Sequence, residues 1–292
     1  MQPQPTIAPP HPAPRRPHLA LPDGAVDAHC HIFGPHARFP YAEGRTFTPP
    51  DAPRESLRAL HDHLGIARAL IVQSACHGTD HSALLDALAW GLGRYRGVAL
   101  LRSDATIEEV ARLDAAGVCG ARFNFLPHLG GYPPAEVIRR TEALVAPFGW
   151  HFGIHVTGPD LMACEELIRS IRAPVVIDHI ARFDVRDGMA GAAFQLLLRL
   201  LDLPTVAVKL SGIDRLTRQG PPYADAIAFA RAIAAHAPDR VVWGTDWPHP
   251  NHQGPIPDDG ELVDAITEIA PSPDARRKLL VDNPVRLFGF RA

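Results

Sequence analysis

The chain has 292 residues, of which 46% are hydrophobic and 21% charged, a balance that suits a globular protein with a sizeable core and excludes disordered and fibrous classes. Its formal net charge of −3 gives no general attraction to nucleic acid or to an anionic membrane, so any anion recognition must be local. Four cysteines, Cys30, Cys76, Cys119 and Cys164, stand singly in apolar segments without CxxC spacing, which fits reduced, buried thiols and a cytoplasmic setting and not a disulfide framework.

In chain order, residues 1–22 carry eight prolines and no continuous apolar stretch. That excludes a secretory signal or membrane span and predicts a flexible, polyproline-like leader. From residue 23 to 292 short apolar runs alternate with amphipathic ones. Strands are predicted at 25–30, 67–73, 97–102, 118–124, 150–156, 174–180, 205–211 and 240–246. Helices are predicted near 54–63, 82–94, 106–116, 134–146, 160–171, 191–201, 223–236 and 260–270, with a last one at 273–281. Thr106 with Glu109 reads as a capping box, Asp160 as preceding a helical run, and Gly117 and Gly149 as following helix ends. Eight strand-helix units without a dividing linker predict an α/β fold, a single (β/α)8 TIM-type barrel. The segment 32–53, rich in Phe, Tyr, Pro and Gly, is longer than an ordinary βα connection and is a candidate lid over the barrel mouth.

Chemistry in such barrels gathers at the C-terminal ends of the strands. There the sequence places His29 and His31, Gln73 and Ser74, Arg122 and Asn124, His155, Asp178 and His179, Lys209, Ser211, Asp214, Arg215 and Asp246. Side chains alternate along a strand, so His29 and His31 face one side and can converge on one small object while Cys30 points away. Either of His155 and His179, taken alone, reads more readily as a satisfied core or loop residue. Four strand-end histidines with an aspartate make a suitable set for a divalent metal, and Asp246 beside a water could also remove its proton. A turn or capping role is the bland reading of Asp246, and His249 and Asn251, in a Pro-punctuated loop, suit a turn as well as a substrate contact. Arg122 ends an apolar strand and needs an anion, either a structural carboxylate such as Asp178 or a substrate group held in bidentate fashion. Arg215 is similar but also reads as a solvated loop cation, and Lys209 suits a barrel-interior ion pair.

The stretches VDAHCHIFGP, FPYAEGRTFTPPDAP, GARFNFLPHLGG, VVIDHIAR, KLSGIDR and VVWGTDWPHPN together resemble the metal-dependent amidohydrolase superfamily, in its branch of 2-pyrone-4,6-dicarboxylate lactonases and 4-sulfomuconolactone hydrolases. The resemblance implies a distorted barrel that hydrolyses a small anionic lactone. In it His29, His31 and His179 would bind or polarise the lactone carbonyl, Asp246 would activate water, and Arg122 and Arg215 would hold substrate anions; Ser74 and His128 are further candidate substrate contacts. Three positions depart from the dicarboxylate lactonase pattern. His128 stands where that pattern has a second arginine, His155 where it has a tyrosine, and Phe47 where it has a lid tyrosine, which favours a lactone with different anionic decoration. That lactonase is associated with metal-independent chemistry. Other members of the superfamily hold a divalent ion with the strand-1 pair, a strand-5 histidine and the strand-8 aspartate. His155 completes that set, so His29, His31, His155 and Asp246 are expected to hold a divalent ion, zinc by preference. Two alternatives are a zinc-dependent decarboxylase of the same superfamily and a non-catalytic binding barrel.

Overall fold

A computed structural model describes residues 4–129 and 131–291. Eight strands, β1 (Val26–Cys30), β2 (Arg68–Val72), β3 (Tyr95–Ala99), β4 (Val118–Asn124), β5 (His151–His155), β6 (Val175–Ile177), β7 (Val206–Lys209) and β8 (Val241–Val242), pair in chain order in one sheet. All seven successive pairings are parallel. The seam between the last and first strands is bridged by backbone hydrogen bonds from Ala28 to Trp243 (2.8 Å), Asp246 to His29 (2.8 Å) and His31 to Trp247 (2.8 Å). This is the expected (β/α)8 barrel. Parallel strands buried on both faces read as unbroken apolar runs, which is why they were visible in the sequence.

Asp27 pins the seam from inside. Its carboxylate accepts from the Thr245 hydroxyl (2.6 Å) and from the backbone N–H groups of Thr245 (3.1 Å) and His29 (3.0 Å). Gly244 is required at this crossing, since a Cβ there would sit 2.4 Å from the His29 nitrogen. Between the strands run helices that present apolar stripes to the sheet, among them α1 (Arg54–Leu64), α2 (Ser82–Trp90), α3 (Ile107–Ala115) and α4 (Ala135–Val145). Thr106 caps α3 by accepting from the Glu109 N–H. Among the described residues no helix is long and apolar enough to cross a membrane. The four cysteines are free and buried.

Several boundaries differ from expectation. The helix expected at 160–171 is two short ones, Gly158–Ala163 and Glu165–Ser170, broken at Cys164. Asp160 lies inside the first of them and closes a capping box with Thr157 instead of preceding the helix. The sixth and eighth strands are shorter than expected because the chain leaves the ladder at both places. After β6 the residues His179, Ile180, Ala181 and Arg182 adopt φ of 51°, 54°, 54° and 42°, and Asp246 after β8 adopts 62°. Each such left-handed step costs a residue with a Cβ roughly 1–2 kcal/mol, and strain of this kind persists where packing over-determines it. Ile180 and Ala181 are fully buried.

Residues 32–53 fold over the strand ends. Phe33 bridges to Ala52, and Phe39, Tyr41 and Phe47 are buried. The described part of the leader, expected to be flexible, carries no helix or strand but is tied to the barrel. The Thr6 N–H donates to the Thr48 carbonyl (2.7 Å), that of Arg15 to Asp258 (3.0 Å) and that of Leu19 to Asp264 (2.8 Å).

His151, at the start of β5, is buried with its Nδ1 2.9 Å from the Cys119 carbonyl. Burial, and then the Lys209 cation, pull its pKa down to about 3. Its native pKa lies below its unfolded value of roughly 6.5, so the unfolded chain binds the extra proton first. The stability that His151 leaves intact above pH 6.5 should be lost progressively as pH falls from there towards 3. Thermal melts of wild type and His151→Asn across this range should show a shallower acid decline in the variant; parallel declines would show that His151 does not titrate this way.

Candidate active site

The strand ends bring the expected residues to one mouth. His29 is the next-to-last residue of β1, His31 follows the strand, Asp246 follows β8, and His179 opens the left-handed turn after β6. Three imidazole Nε2 atoms surround a single carboxylate oxygen: Asp246 Oδ1 is 3.3 Å from His31, 3.7 Å from His29 and 3.8 Å from His179. That oxygen is buried and has no hydrogen-bond partner. The other, Oδ2, is held by Arg215 through Nε at 2.8 Å and a terminal nitrogen at 2.6 Å. Arg215 is therefore a buried partner of the aspartate and not a solvated loop cation; it also donates to the Pro250 carbonyl (3.1 Å).

The far nitrogen of each ring decides what faces Asp246. His31 Nδ1 lies 2.8 Å from the Val72 carbonyl, which can only accept. Nδ1 therefore carries a proton, and in the neutral ring Nε2 presents a lone pair. His179 Nδ1 meets the Ser211 hydroxyl at 2.9 Å. His29 Nδ1 lies between Lys209 Nζ (3.0 Å) and Asp178 Oδ1 (3.4 Å). Lys209, at the end of β7, is itself 3.2 Å from Asp178 Oδ1, which makes it the barrel-interior ion-pair partner that its position suggested. Burial holds His179 at about 4. Burial and then Lys209 hold His29 well below the ordinary imidazole range, so these rings are neutral near pH 7. Burial alone would raise the Asp246 carboxyl, but the Arg215 guanidinium reverses that and holds it well below the usual carboxylate range.

Around this centre one pocket is lined by Phe47, Ser74, Arg122, His128, His155, Arg182 and Asn251, along with His31, His179, Arg215 and Asp246. Phe47 brings the lid segment to the mouth. Arg122 Nε donates to Asp178 Oδ2 at 2.8 Å, so the structural-carboxylate reading of Arg122 holds while the same side chain lines the pocket. His249, by contrast, is buried against Asp259 at 3.1 Å and takes a structural role. Arg182 was given no role in the sequence. The sequence signals for Arg182 are its place three residues after His179 and at the end of the VVIDHIAR stretch.

The donor set fits a divalent ion. Lone pairs on His31 Nε2 and the partnerless Asp246 Oδ1 face each other at 3.3 Å, a contact that needs a positive charge or a bridging proton between them. Donor atoms of His29, His179 and Asp246 all lie within 4.8 Å of one another. His155, expected in the metal set, stands outside that group. It pairs in register with Asn124 of β4, its Nδ1 is 3.1 Å from the Asn124 side-chain oxygen, and its ring centre is 5.5 Å from that of His179. His179 stands within that group.

The amidohydrolase family profile matches residues 26–290. The chain is 43% identical to a 2-pyrone-4,6-dicarboxylate hydrolase of Comamonas testosteroni, with 94% of this chain and 93% of that one covered. It is 40% identical to a 4-sulfomuconolactone hydrolase of Rhizobium radiobacter, covering 93% and 92%. A crystal structure of an Agrobacterium tumefaciens protein without ligand superposes with a TM-score of 0.84 at 33% identity, over 94% of this chain and 99% of that one. With its eight-stranded barrel and its histidine-aspartate centre at the strand ends, the chain belongs to the amidohydrolase family.

Proposed function

We propose that the protein hydrolyses a small anionic lactone. The observation that carries this reading is the buried Asp246 Oδ1, partnerless and ringed by three imidazole nitrogens within 3.8 Å. Lactone hydrolysis needs a water deprotonated as it attacks, and stabilisation of the oxyanion that forms. In this reading Asp246 takes the proton as the water oxygen bonds to the ring carbonyl carbon. Neutral His29 and His179, with His31 beside them, supply hydrogen bonds or lone pairs around the developing charge. When the tetrahedral adduct collapses, the ring carbon-oxygen bond breaks and the leaving oxygen takes the proton back from Asp246. A divalent ion, zinc by preference, would be held by His29, His31, His179 and Asp246 and would supply Lewis acidity to the carbonyl. Ser74 and His128 line the pocket wall as further substrate contacts.

Relatives named for lactone hydrolysis support this reading over the decarboxylase alternative. A binding barrel has no use for a buried carboxylate oxygen left without a partner, because such burial is costly unless it serves chemistry.

Three tests follow from this reading. Purified protein should open at least one member of a panel of pyrone carboxylates and muconolactones, and should carry about one divalent ion per chain by elemental analysis. No turnover across the panel refutes the hydrolase, and full activity in a metal-free preparation removes the ion from it. Asp246→Asn should lower turnover by roughly a hundredfold to ten-thousandfold. Because Arg215 then faces a neutral amide, the melting temperature should also drop while the fold survives. A near wild-type rate would move the base to His179. Arg122→Met should cost about 3–5 kcal/mol in denaturant melts, since it leaves the buried Asp178 with one cation fewer; an unchanged midpoint would show that Lys209 alone sustains that carboxylate.

A further inference from the structure

The lid brings Phe47 to the pocket wall, and its ring is buried there, edge to face with Phe33 at 6.3 Å between centres. Around it the lid has little backbone structure of its own. Residues 46–51 carry no helix or strand. Among the described residues, the only backbone hydrogen bonds that 46–51 make run to one residue of the leader. The Thr48 N–H donates to the Thr6 hydroxyl (2.8 Å), and the Thr48 carbonyl accepts from the Thr6 N–H (2.7 Å). Ile7 beside it packs against the core. The residue next to Phe47 is thus clasped by the leader on both its backbone groups.

The other end of the leader is fixed on the helix Asp259–Ile269 and its cap Asp258. The Arg15 N–H donates to Asp258 (3.0 Å), the Arg15 guanidinium lies 2.7 Å from Asp264, and the Leu19 N–H donates to Asp264 (2.8 Å). Gly260 leaves room for this crossing, since a Cβ there would stand 2.1 Å from the Arg15 carbonyl oxygen. Between the two anchors residues 7–14 read IAPPHPAP. Each proline fixes φ and removes a backbone donor, so the stretch needs few partners and loses less entropy when it is ordered. On its way it passes the loop after β8, where His11 lines one cavity with His252 and Gln253. A composition that makes a spacer in a free tail makes a stiff connection once both ends are held.

We propose that the leader is a proline-stiffened strap, anchored on the helix Asp259–Ile269, and that its Thr6 is a positioning residue that holds the lid, and with it Phe47, in the pocket wall. Substrate affinity then depends on a residue outside the pocket. That effect on affinity rests on the lactone-hydrolase reading, but the effect on the lid can be read without turnover.

Hydrogen-deuterium exchange of the whole chain, followed in peptides that cover residues 41–52, tests the strap. Thr6→Pro removes both the donor and the hydroxyl, so the Thr48 amide and its neighbours should exchange roughly tenfold faster. Thr6→Ser keeps both groups and should exchange as wild type does. Gly260→Ala pushes a methyl group into the Arg15 carbonyl, far along the leader, and should speed exchange in the same lid peptides. Both Thr6 variants should melt like wild type, because Thr6 lies outside the barrel. For any lactone that is turned over, Thr6→Pro should raise KM by a similar factor with kcat little changed, and Thr6→Ser should keep the wild-type value. Unchanged lid exchange in Thr6→Pro overturns the proposal, and so does faster exchange with KM unmoved, which leaves Thr6 a structural contact alone. Faster exchange in Thr6→Pro but not in Gly260→Ala overturns the strap. A lid that loosens in both variants of a protein that opens no lactone refutes the hydrolase and leaves the strap standing. Lactones opened with the same KM and the same lid exchange in wild type and Thr6→Pro do the reverse.

Discussion

Asp178 is the interaction on which the site depends. It leaves β6 fully buried and meets three other strands: Arg122 of β4 at 2.8 Å, Lys209 of β7 at 3.2 Å and His29 of β1 at 3.4 Å. Burial pushes its pKa up, yet Lys209 and Arg122 overrule this and keep it ionised. A lone carboxylate at this depth would neutralise itself, and a lone Lys209 would do the same in the opposite sense. Each ion is tolerable only because the others are present, so the barrel interior is closed by charge as well as by packing. The arrangement also governs chemistry. When Lys209 donates to His29 Nδ1, the neutral ring carries its proton on Nε2 and offers a donor to Asp246. When Asp178 accepts from Nδ1, Nε2 is bare and offers a lone pair suited to an ion. The Lys209–Asp178 pair thus selects between an oxyanion-stabilising His29 and a metal-ligating one.

Much of this was legible before the structure. The barrel follows from alternating apolar runs, because strands covered on both faces cannot hide their hydrophobicity. The convergence of His29 and His31 follows from the two-residue period of a strand, and Asp246 follows from the rule that strand ends carry the chemistry. The turn that sets His179 beside Asp246 and Arg182 in the pocket was not legible, for one reason. Extending β6 to residue 180 gives its last residues strand parity, whereas the chain turns left-handed at His179. A left-handed run without glycine has no sequence signature, since nothing local favours it and only the packing of Ile180 and Ala181 holds it. Lys209 was hard to place for a different reason: a buried cation is explained only by its partners, and those lie on other strands.

The protonation of Asp246 sets a last constraint on how such a site can work. A carboxylate clamped by Arg215 and held well below its ordinary range is a poor base towards resting water. It accepts a proton readily only from an oxygen that has become strongly acidic. A water becomes so as it bonds to a carbonyl carbon, because its oxygen then carries positive charge, and a ring carbonyl already polarised by neighbouring groups brings that moment earlier. Clamping keeps Asp246 ionised at any moderate pH and unable to trap a proton in the resting enzyme, while the three imidazoles keep its free oxygen aimed into the pocket. A stronger base in this position would be protonated more of the time and would return its proton to the leaving oxygen less easily. A weak base suits the second half of the reaction as much as the first, because one group must both take the proton and give it back.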